Sequence, residues 1–187
     1  MSKTIGIFVG SLRKGSYNKT IAEVIASYLP AGYEGRIIEI GDLPLYNPDL
    51  DDTGTPPAAW QRFRDEVRPL DGVLFVTPEY NRSVPAVLKN ALDVGSRPYG
   101  QSVWDGKPGA VASVSPGGIA GFGANHHLRQ SLVFLNVLTL QQPEAYIGNV
   151  MSFVDENGAI TNDDTKGFLK SFAEALAGWV DLIGSRK

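Results

Sequence analysis

The chain has 187 residues, 43% of them apolar, a formal net charge of −3 and no cysteine. That length suits a single domain over residues 1–187 with a full core, and the mild negative charge argues against a nucleic-acid binder, which needs a basic face. Without cysteine there is no thiol nucleophile, thiolate zinc site, iron–sulfur cluster or disulfide, so redox chemistry must come from a bound organic cofactor or a non-thiolate metal.

The first element is an apolar strand pattern over residues 4–10, ending in Gly10-Ser11-Leu12-Arg13-Lys14-Gly15-Ser16-Tyr17-Asn18. A helical pattern follows, with Ile21, Val24, Ile25, Tyr28 and Leu29 at three- and four-residue steps until Pro30. A glycine-bearing loop between strand and helix presents backbone N–H groups and the positive end of the helix dipole, which suits an anion. Ser11, Arg13, Ser16 and Asn18 add side-chain donors, so a phosphate monoester is the natural occupant, while Lys14 reads as a solvated loop charge. The Gly10-to-Gly15 spacing resembles a P-loop, yet Ser16-Tyr17 stands where a triphosphatase needs Lys followed by Ser or Thr. Triphosphate hydrolysis is not expected.

Arg36 to Ile40 is a weaker strand candidate, and Gly41 to Pro57 is an irregular segment of a length that tends to be functional. Within it, Asp49-Leu50-Asp51-Asp52-Thr53-Gly54 starts like a calcium loop, but Trp60 holds the place of the bidentate glutamate, so the segment reads as a solvated loop. A crossover helix over about Ala58 to Val67 leads to a strand at 72–77. Next comes Pro78-Glu79-Tyr80-Asn81-Arg82-Ser83-Val84-Pro85, stiffened by its prolines and able to present backbone N–H groups to the edge of a flat ring. In isolation, Tyr80 fits a core aromatic and Glu79 a surface charge equally well.

Pro85 opens a helix carrying Leu88, Ala91 and Leu92, and Gly95 to Pro108 is a second long irregular segment. After a strand at 109–114, the loop Ser115-Pro116-Gly117-Gly118-Ile119-Ala120-Gly121-Phe122-Gly123 has four glycines that let backbone approach a ligand closely. It fails the dinucleotide fingerprint, because His126 stands where the third glycine belongs. A helix with Leu128, Leu132 and Leu135 follows. His126 and His127 point about 100° apart on a helix and cannot share a metal, so surface or interface packing is expected. Val137 to Leu140 is a weak fifth strand. The last helix keeps Phe168, Phe172, Leu176, Trp179 and Ile183 on one face, opened by Asn162 and two aspartates and closed by Gly184 and Arg186.

Strands alternating with helices predict an α/β fold: a flavodoxin-like, doubly wound, five-stranded parallel sheet in the order 2-1-3-4-5 with helices on both faces. Its ligand crevice opens beside strands one and three, where loops 10–18, 78–83 and 115–123 leave the carboxyl ends. No apolar stretch approaches the roughly 20 residues that cross a bilayer, and the start lacks a signal-peptide layout, so a cytoplasmic protein without membrane contact is expected.

Gly10-Ser11-Leu12-Arg13 with Ser16-Tyr17-Asn18, then Thr77-Pro78-Glu79-Tyr80-Asn81 with Ser83-Val84-Pro85 and Leu88-Lys89-Asn90-Ala91-Leu92-Asp93, resembles the NADPH-dependent FMN reductase family, and within it the bacterial chromate and quinone reductases. The resemblance implies FMN as cofactor and NADPH or NADH as co-substrate. It assigns the FMN phosphate to Ser11, Arg13, Ser16, Tyr17 and Asn18, the isoalloxazine ring to Pro78, Glu79, Tyr80 and Asn81, and the pyrimidine side to Ser115, Gly117 and Gly118. No side chain is assigned catalysis, since flavin N5 carries the hydride in a ping-pong exchange with quinones, chromate, azo compounds or free flavin. It further implies a homodimer or homotetramer with the flavin site near the subunit contact, close to the helix begun by Pro85 and the Gly95 to Pro108 segment. Arg82 departs from relatives that often carry an aromatic there, and at the substrate entrance it would favour anionic acceptors or the NADPH 2′-phosphate. Two other classes compete: a flavodoxin-type carrier that binds FMN without oxidising nicotinamides, and a phosphoryl-ligand domain with no redox role.

Overall fold

The computed structural model describes residues 2–52 and 54–185. Thr53 of the acidic segment and Arg186, expected to close the last helix, lie outside them. Strands β1 (Lys3–Val9), β2 (Tyr33–Ile37), β3 (Gly72–Thr77), β4 (Pro108–Val114) and β5 (Leu138–Thr139) form a parallel sheet in the order β2-β1-β3-β4-β5. The expected order is therefore present, with one correction. β5 pairs with the start of β4 at Pro108 and Gly109, and a sixth strand, β6 (Ala145–Ile147), pairs with its end from Ala112 to Val114. The fifth lane is thus two short strands, separated by Gln141-Gln142-Pro143-Glu144, whose polar side chains and proline without an N–H suit departure from a ladder.

Helices α1 (Tyr17–Ser27) and α6 (Asp163–Gly184) pack on one face, while α3 (Ala58–Val67), α4 (Ala86–Gly95) and α5 (Phe122–Phe134) pack on the other. Alternate residues of the strands feed two cores. Ile5, Ile7, Leu74 and Val76 meet Ile21 and Ile25 of α1 and Phe172 and Leu176 of α6. Phe8, Phe75 and Val111 meet Trp60, Phe63, Leu88 and Leu128, with Trp104 among them. Covered on both sides, β3 and β4 are buried throughout, which is why they read as continuous apolar runs.

The long segment after α4 is anchored in that second core. The Trp104 ring lies 5.2 Å from Phe8 and 5.9 Å from Phe63, and its Nε1–H donates to Leu92 O at 3.0 Å. A Cβ on Gly95 would sit 2.5 Å from Trp104 Nε1, so only glycine lets the indole close against the helix end.

Other expectations are corrected by tertiary context. β2 begins at Tyr33 rather than Arg36, because an edge strand needs no apolar signal, while Ile38 and Ile40 lie beyond it yet stay buried. α1 ends at Ser27 with Tyr28 as its cap, and Leu135 caps α5 rather than lying inside it. On α6 the buried stripe includes Leu169, Phe172, Ala173, Leu176, Val180 and Ile183, with Phe168 and Trp179 half-buried beside it.

The acidic segment is not a solvated loop. Residues Pro48–Asp52 form the short helix α2, and the Asp51 carboxylate is buried against Arg64, which donates to its two oxygens at 2.9 and 2.7 Å. Arg64 Nε also donates to Val94 O at 3.0 Å, so one guanidinium ties α2, α3 and α4 together. Hydrogen bonding from Arg64 holds the Asp51 carboxyl below its ordinary range. Among the described residues, no helix is long and apolar enough to cross a membrane.

Candidate functional site

Loop one leaves β1 at Gly10, whose N–H donates to Val76 O at 2.9 Å. A Cβ there would lie 3.0 Å from both Pro78 and Pro85, so glycine lets the first two loops close on each other. Gly15 turns the chain with φ +64°, and Ser16 caps α1 by accepting at Oγ from the Lys19 N–H at 3.3 Å. Arg13 and Lys14 are exposed and make no ion pair among the described residues. Asn18 is only 6% exposed, and its Oδ1 is buried with no hydrogen-bond partner among the described residues. Such an atom costs about 1–3 kcal/mol unless something else satisfies it.

Loop two is fixed at its start by the buried Thr77, whose hydroxyl donates to Pro78 O at 2.7 Å. Tyr80 and Ser83 then exchange backbone hydrogen bonds of 3.1 and 3.0 Å around Asn81 and Arg82, whose φ values are +52° and +65°. That is a two-residue turn of the type that usually takes Asn-Gly, so Arg82 is strained. Strain of this kind persists where the surrounding structure over-determines it, often at ligand clamps. The two side chains left open by the sequence now have definite places. Tyr80 is half-exposed rather than a core aromatic. Glu79 is not a surface charge: its side chain is 12% exposed, Oε2 accepts from the Ala124 N–H in the first turn of α5, and Oε1 accepts from Arg82, both at 3.1 Å. The carboxylate caps a helix and holds loop two against loop three.

Loop three begins with Ser115, whose Oγ accepts from the Gly117 N–H at 3.1 Å, and swings into α5 through Ala120 at φ +59° and Gly121 at φ +71°. A Cβ on Gly117 or Gly118 would meet nothing nearer than 3.7 Å. Packing within the chain therefore does not require glycine at either position, and space is left for something outside the chain to approach.

The three loops enclose a cleft of about 120 Å³. Loop one contributes Ser11, Arg13, Ser16, Tyr17 and Asn18, loop two Pro78, Glu79 and Tyr80, and the third loop Ser115. Asn81, Arg82, Gly117 and Gly118 belong to the same loops but fall outside this lining. Val114 and Pro116 line it without any sequence signal, being apolar residues of a strand end and its turn. Asn125 was also missed. It is fully buried and its Nδ2 donates to Ser113 Oγ at 3.3 Å, fixing α5 on β4 behind loop three. His126 and His127 take separate partners, Tyr146 Oη at 3.0 Å and Ser83 Oγ at 3.1 Å. Burial and the hydrogen bond to Glu144 push the Tyr146 hydroxyl up to about 12.

A parallel sheet in this order, with a cleft at its carboxyl edge lined by the loops after β1, β3 and β4, defines a flavodoxin-like α/β protein. Comparison with known proteins narrows the class. The family model for NADPH-dependent FMN reductase matches residues 3–152, and the chain belongs to that family. A quinone reductase of Pseudomonas putida strain KT2440 is 57% identical over 179 residues, 96% of this chain and 95% of that protein. A 2-hydroxy-1,4-benzoquinone reductase of a Burkholderia species is 45% identical over 180 residues, covering 96% of this chain and 97% of that protein. Among solved structures, FerB, a flavoenzyme NAD(P)H:(acceptor) oxidoreductase from Paracoccus denitrificans, superposes with a TM-score of 0.88 at 39% identity, covering 96% of this chain and 97% of that one.

Proposed function

We propose that this protein carries electrons from NADPH or NADH to quinones by way of FMN held in the three-loop cleft. The observation that carries this reading is the buried Asn18 amide oxygen, without a partner among the described residues, in a cleft whose other polar side chains are hydroxyls, the Arg13 guanidinium and a Glu79 carboxylate already engaged by Arg82 and the Ala124 N–H. That set fits a phosphate monoester on a hydroxylated chain. Arg13 pairs with the dianion, Ser11, Ser16 and Tyr17 donate to it with the backbone of the first turn of α1, and Asn18 takes a ribityl hydroxyl. Pro78, Glu79, Tyr80 and Asn81 lie along the ring, and Ser115, Gly117 and Gly118 border its pyrimidine edge. Because Glu79 is already engaged by Ala124 and Arg82, contact with the ring falls to loop-two backbone and to Tyr80.

Bound FMN supplies a hydride acceptor at N5 and a donor to the second substrate. The protein's own residues bind and orient, and none is required as nucleophile or general base. Within 78–81 and 115–118 the backbone N–H groups of Glu79, Asn81 and Gly118, not engaged by an acceptor among the described residues, would stabilise negative charge at the pyrimidine side. The one cleft would admit donor and acceptor in turn, so the exchange would be ping-pong. The activities named for the Pseudomonas and Burkholderia relatives support quinones as acceptors. Chromate, azo compounds and free flavin belong to the same reactivity, and the exposed Arg82 at the entrance favours anionic ones.

The protein works as a homodimer or homotetramer in the cytoplasm, with the flavin cleft near the subunit contact. Tyr80, Ile119 and Phe122 are 50%, 60% and 51% exposed on loops two and three and the start of α5, apolar surface at the cleft's edge that a second copy would cover. Flavin-free protein loaded with FMN and assayed for quinone-dependent NADPH oxidation tests the function. Turnover that needs both FMN and quinone supports it, and tight FMN binding without nicotinamide oxidation would leave only an electron carrier.

A further inference from the structure

A second cleft, of about 320 Å³, adjoins the first and shares Ser11 and Arg13 with it. It lies on the far side of loop one, between that loop and the residues running out from β2. Three cations line it: Arg13, Lys14 and Lys19. Arg13 and Lys14 have no carboxylate partner among the described residues, and Lys19 has only a stretched one, Glu23 at 3.9 Å, with both side chains more than half exposed. A single acid, Glu39, lines the cleft with them, and its Oε1 is occupied by the Gly41 N–H at 2.6 Å. Leu12 and Ile37 add apolar surface left 59% and 40% open to solvent.

Each part answers a different part of one ligand. Uncompensated cations suit a phosphate. A carboxylate just beyond the second strand of a doubly wound sheet suits ribose hydroxyls, and exposed apolar side chains suit a base. Neither Lys14 nor Lys19 lines the first cleft, so the FMN phosphate leaves both unused.

We infer that this second cleft seats the phosphorylated adenosine half of NADPH, with Lys14 and Lys19 on its 2′-phosphate and Glu39 on a ribose hydroxyl. The inference rests on the first cleft being the flavin site: one dinucleotide spans both, its nicotinamide at the open ring face and its adenosine across loop one. It makes NADPH the preferred donor, and it assigns that preference to side chains that do not touch FMN.

The test is calorimetric titration of FMN-loaded protein with 2′,5′-ADP and with 5′-AMP, in the wild type and in a Lys14→Glu/Lys19→Glu variant. Both lysines are exposed, so the reversals leave the fold intact, which a thermal melt checks. Wild-type protein should bind 2′,5′-ADP at least about tenfold tighter than 5′-AMP, the least that one charge-assisted contact provides. The variant should lose that preference and raise KM for NADPH about tenfold or more, while KM for NADH rises much less, because only NADPH carries the 2′-phosphate. Unaltered 2′,5′-ADP binding in the variant, or equal rises in KM for both donors, would overturn the inference. If NADPH reduces the flavin while 2′,5′-ADP does not bind, the second cleft loses this role and the proposed function stands. Binding of 2′,5′-ADP without flavin reduction by NADPH would overturn both, leaving a site for a free nucleotide.

Discussion

Removing the Arg13 guanidinium separates the phosphate contact from the structural work of loop one. Arg13 is exposed and makes no hydrogen bond or ion pair with the described residues, so Arg13→Ala should leave the stability of the flavin-free protein within about 0.5 kcal/mol. A hydrogen bond to a charged group contributes about 1.5–3 kcal/mol, which raises the Kd for FMN about 10- to 150-fold. The gap between wild type and variant should narrow as salt is added, because an exposed pair is screened. Ser16→Ala supplies the contrast. Its hydroxyl caps α1 through the Lys19 N–H, so its loss should lower stability by about 1 kcal/mol as well as weakening FMN. Quenching of flavin fluorescence on titration into flavin-free protein gives the Kd, and thermal melts of the same samples give the stability. An Arg13→Ala protein that binds FMN as tightly as wild type would refute the assignment of the phosphate to this loop.

Three further substitutions probe the scaffold around the site. Asp51→Asn breaks a buried ion pair and should destabilise by about 3–5 kcal/mol at neutral pH. Since Arg64 holds the Asp51 carboxyl below its ordinary value of 3.8, the wild-type contribution is present above that value and is lost as pH falls through the lowered one. Denaturant unfolding should therefore show a smaller acid-induced loss in the variant than in wild type, and equal stabilities at neutral pH would contradict the pair's role. Gly95→Ala places a Cβ 2.5 Å from Trp104 Nε1, and overpacking of this kind costs about 1–3 kcal/mol, visible as a lower Tm and altered tryptophan fluorescence. Arg82→Gly removes a left-handed arginine at a saving of about 1 kcal/mol and gives up an ion pair that is solvated on its Arg82 side, while the Glu79 carboxylate keeps the Ala124 N–H, so Tm should rise by about 2–4 °C. A fall in Tm would show that the Glu79 contact outweighs the backbone strain.

The sheet was legible because β3, β4 and all of β1 beyond Thr4 are covered on both faces and are therefore largely apolar, and because alternation of strands with helices leaves few topologies open. The edges were not. Tyr33 to Gly35 join β1 in an edge ladder that needs no apolar run, and the lane beyond β4 is two strands too short to carry a period of their own. In loop one the strand-to-helix turn was legible, since a helix start requires a small polar cap such as Ser16, while the burial of Ser16 and Asn18 comes from packing that local pattern does not carry. Loop two was left undecided between surface and site because its organising contact, Glu79 to the Ala124 N–H, joins residues far apart in the chain. Asp51 misled for the same reason: its partner Arg64 lies on another helix, and neither residue type announces burial.

The central claim is that electrons pass from a nicotinamide through FMN in this cleft to a quinone. Its most direct test is spectroscopic: FMN-loaded protein, freed of oxygen, receives one equivalent of NADPH and then one of a benzoquinone. Bleaching of the flavin's visible absorbance on the first addition and its full return on the second is the predicted result. Flavin that stays oxidised with either NADPH or NADH, although bound, would contradict the account.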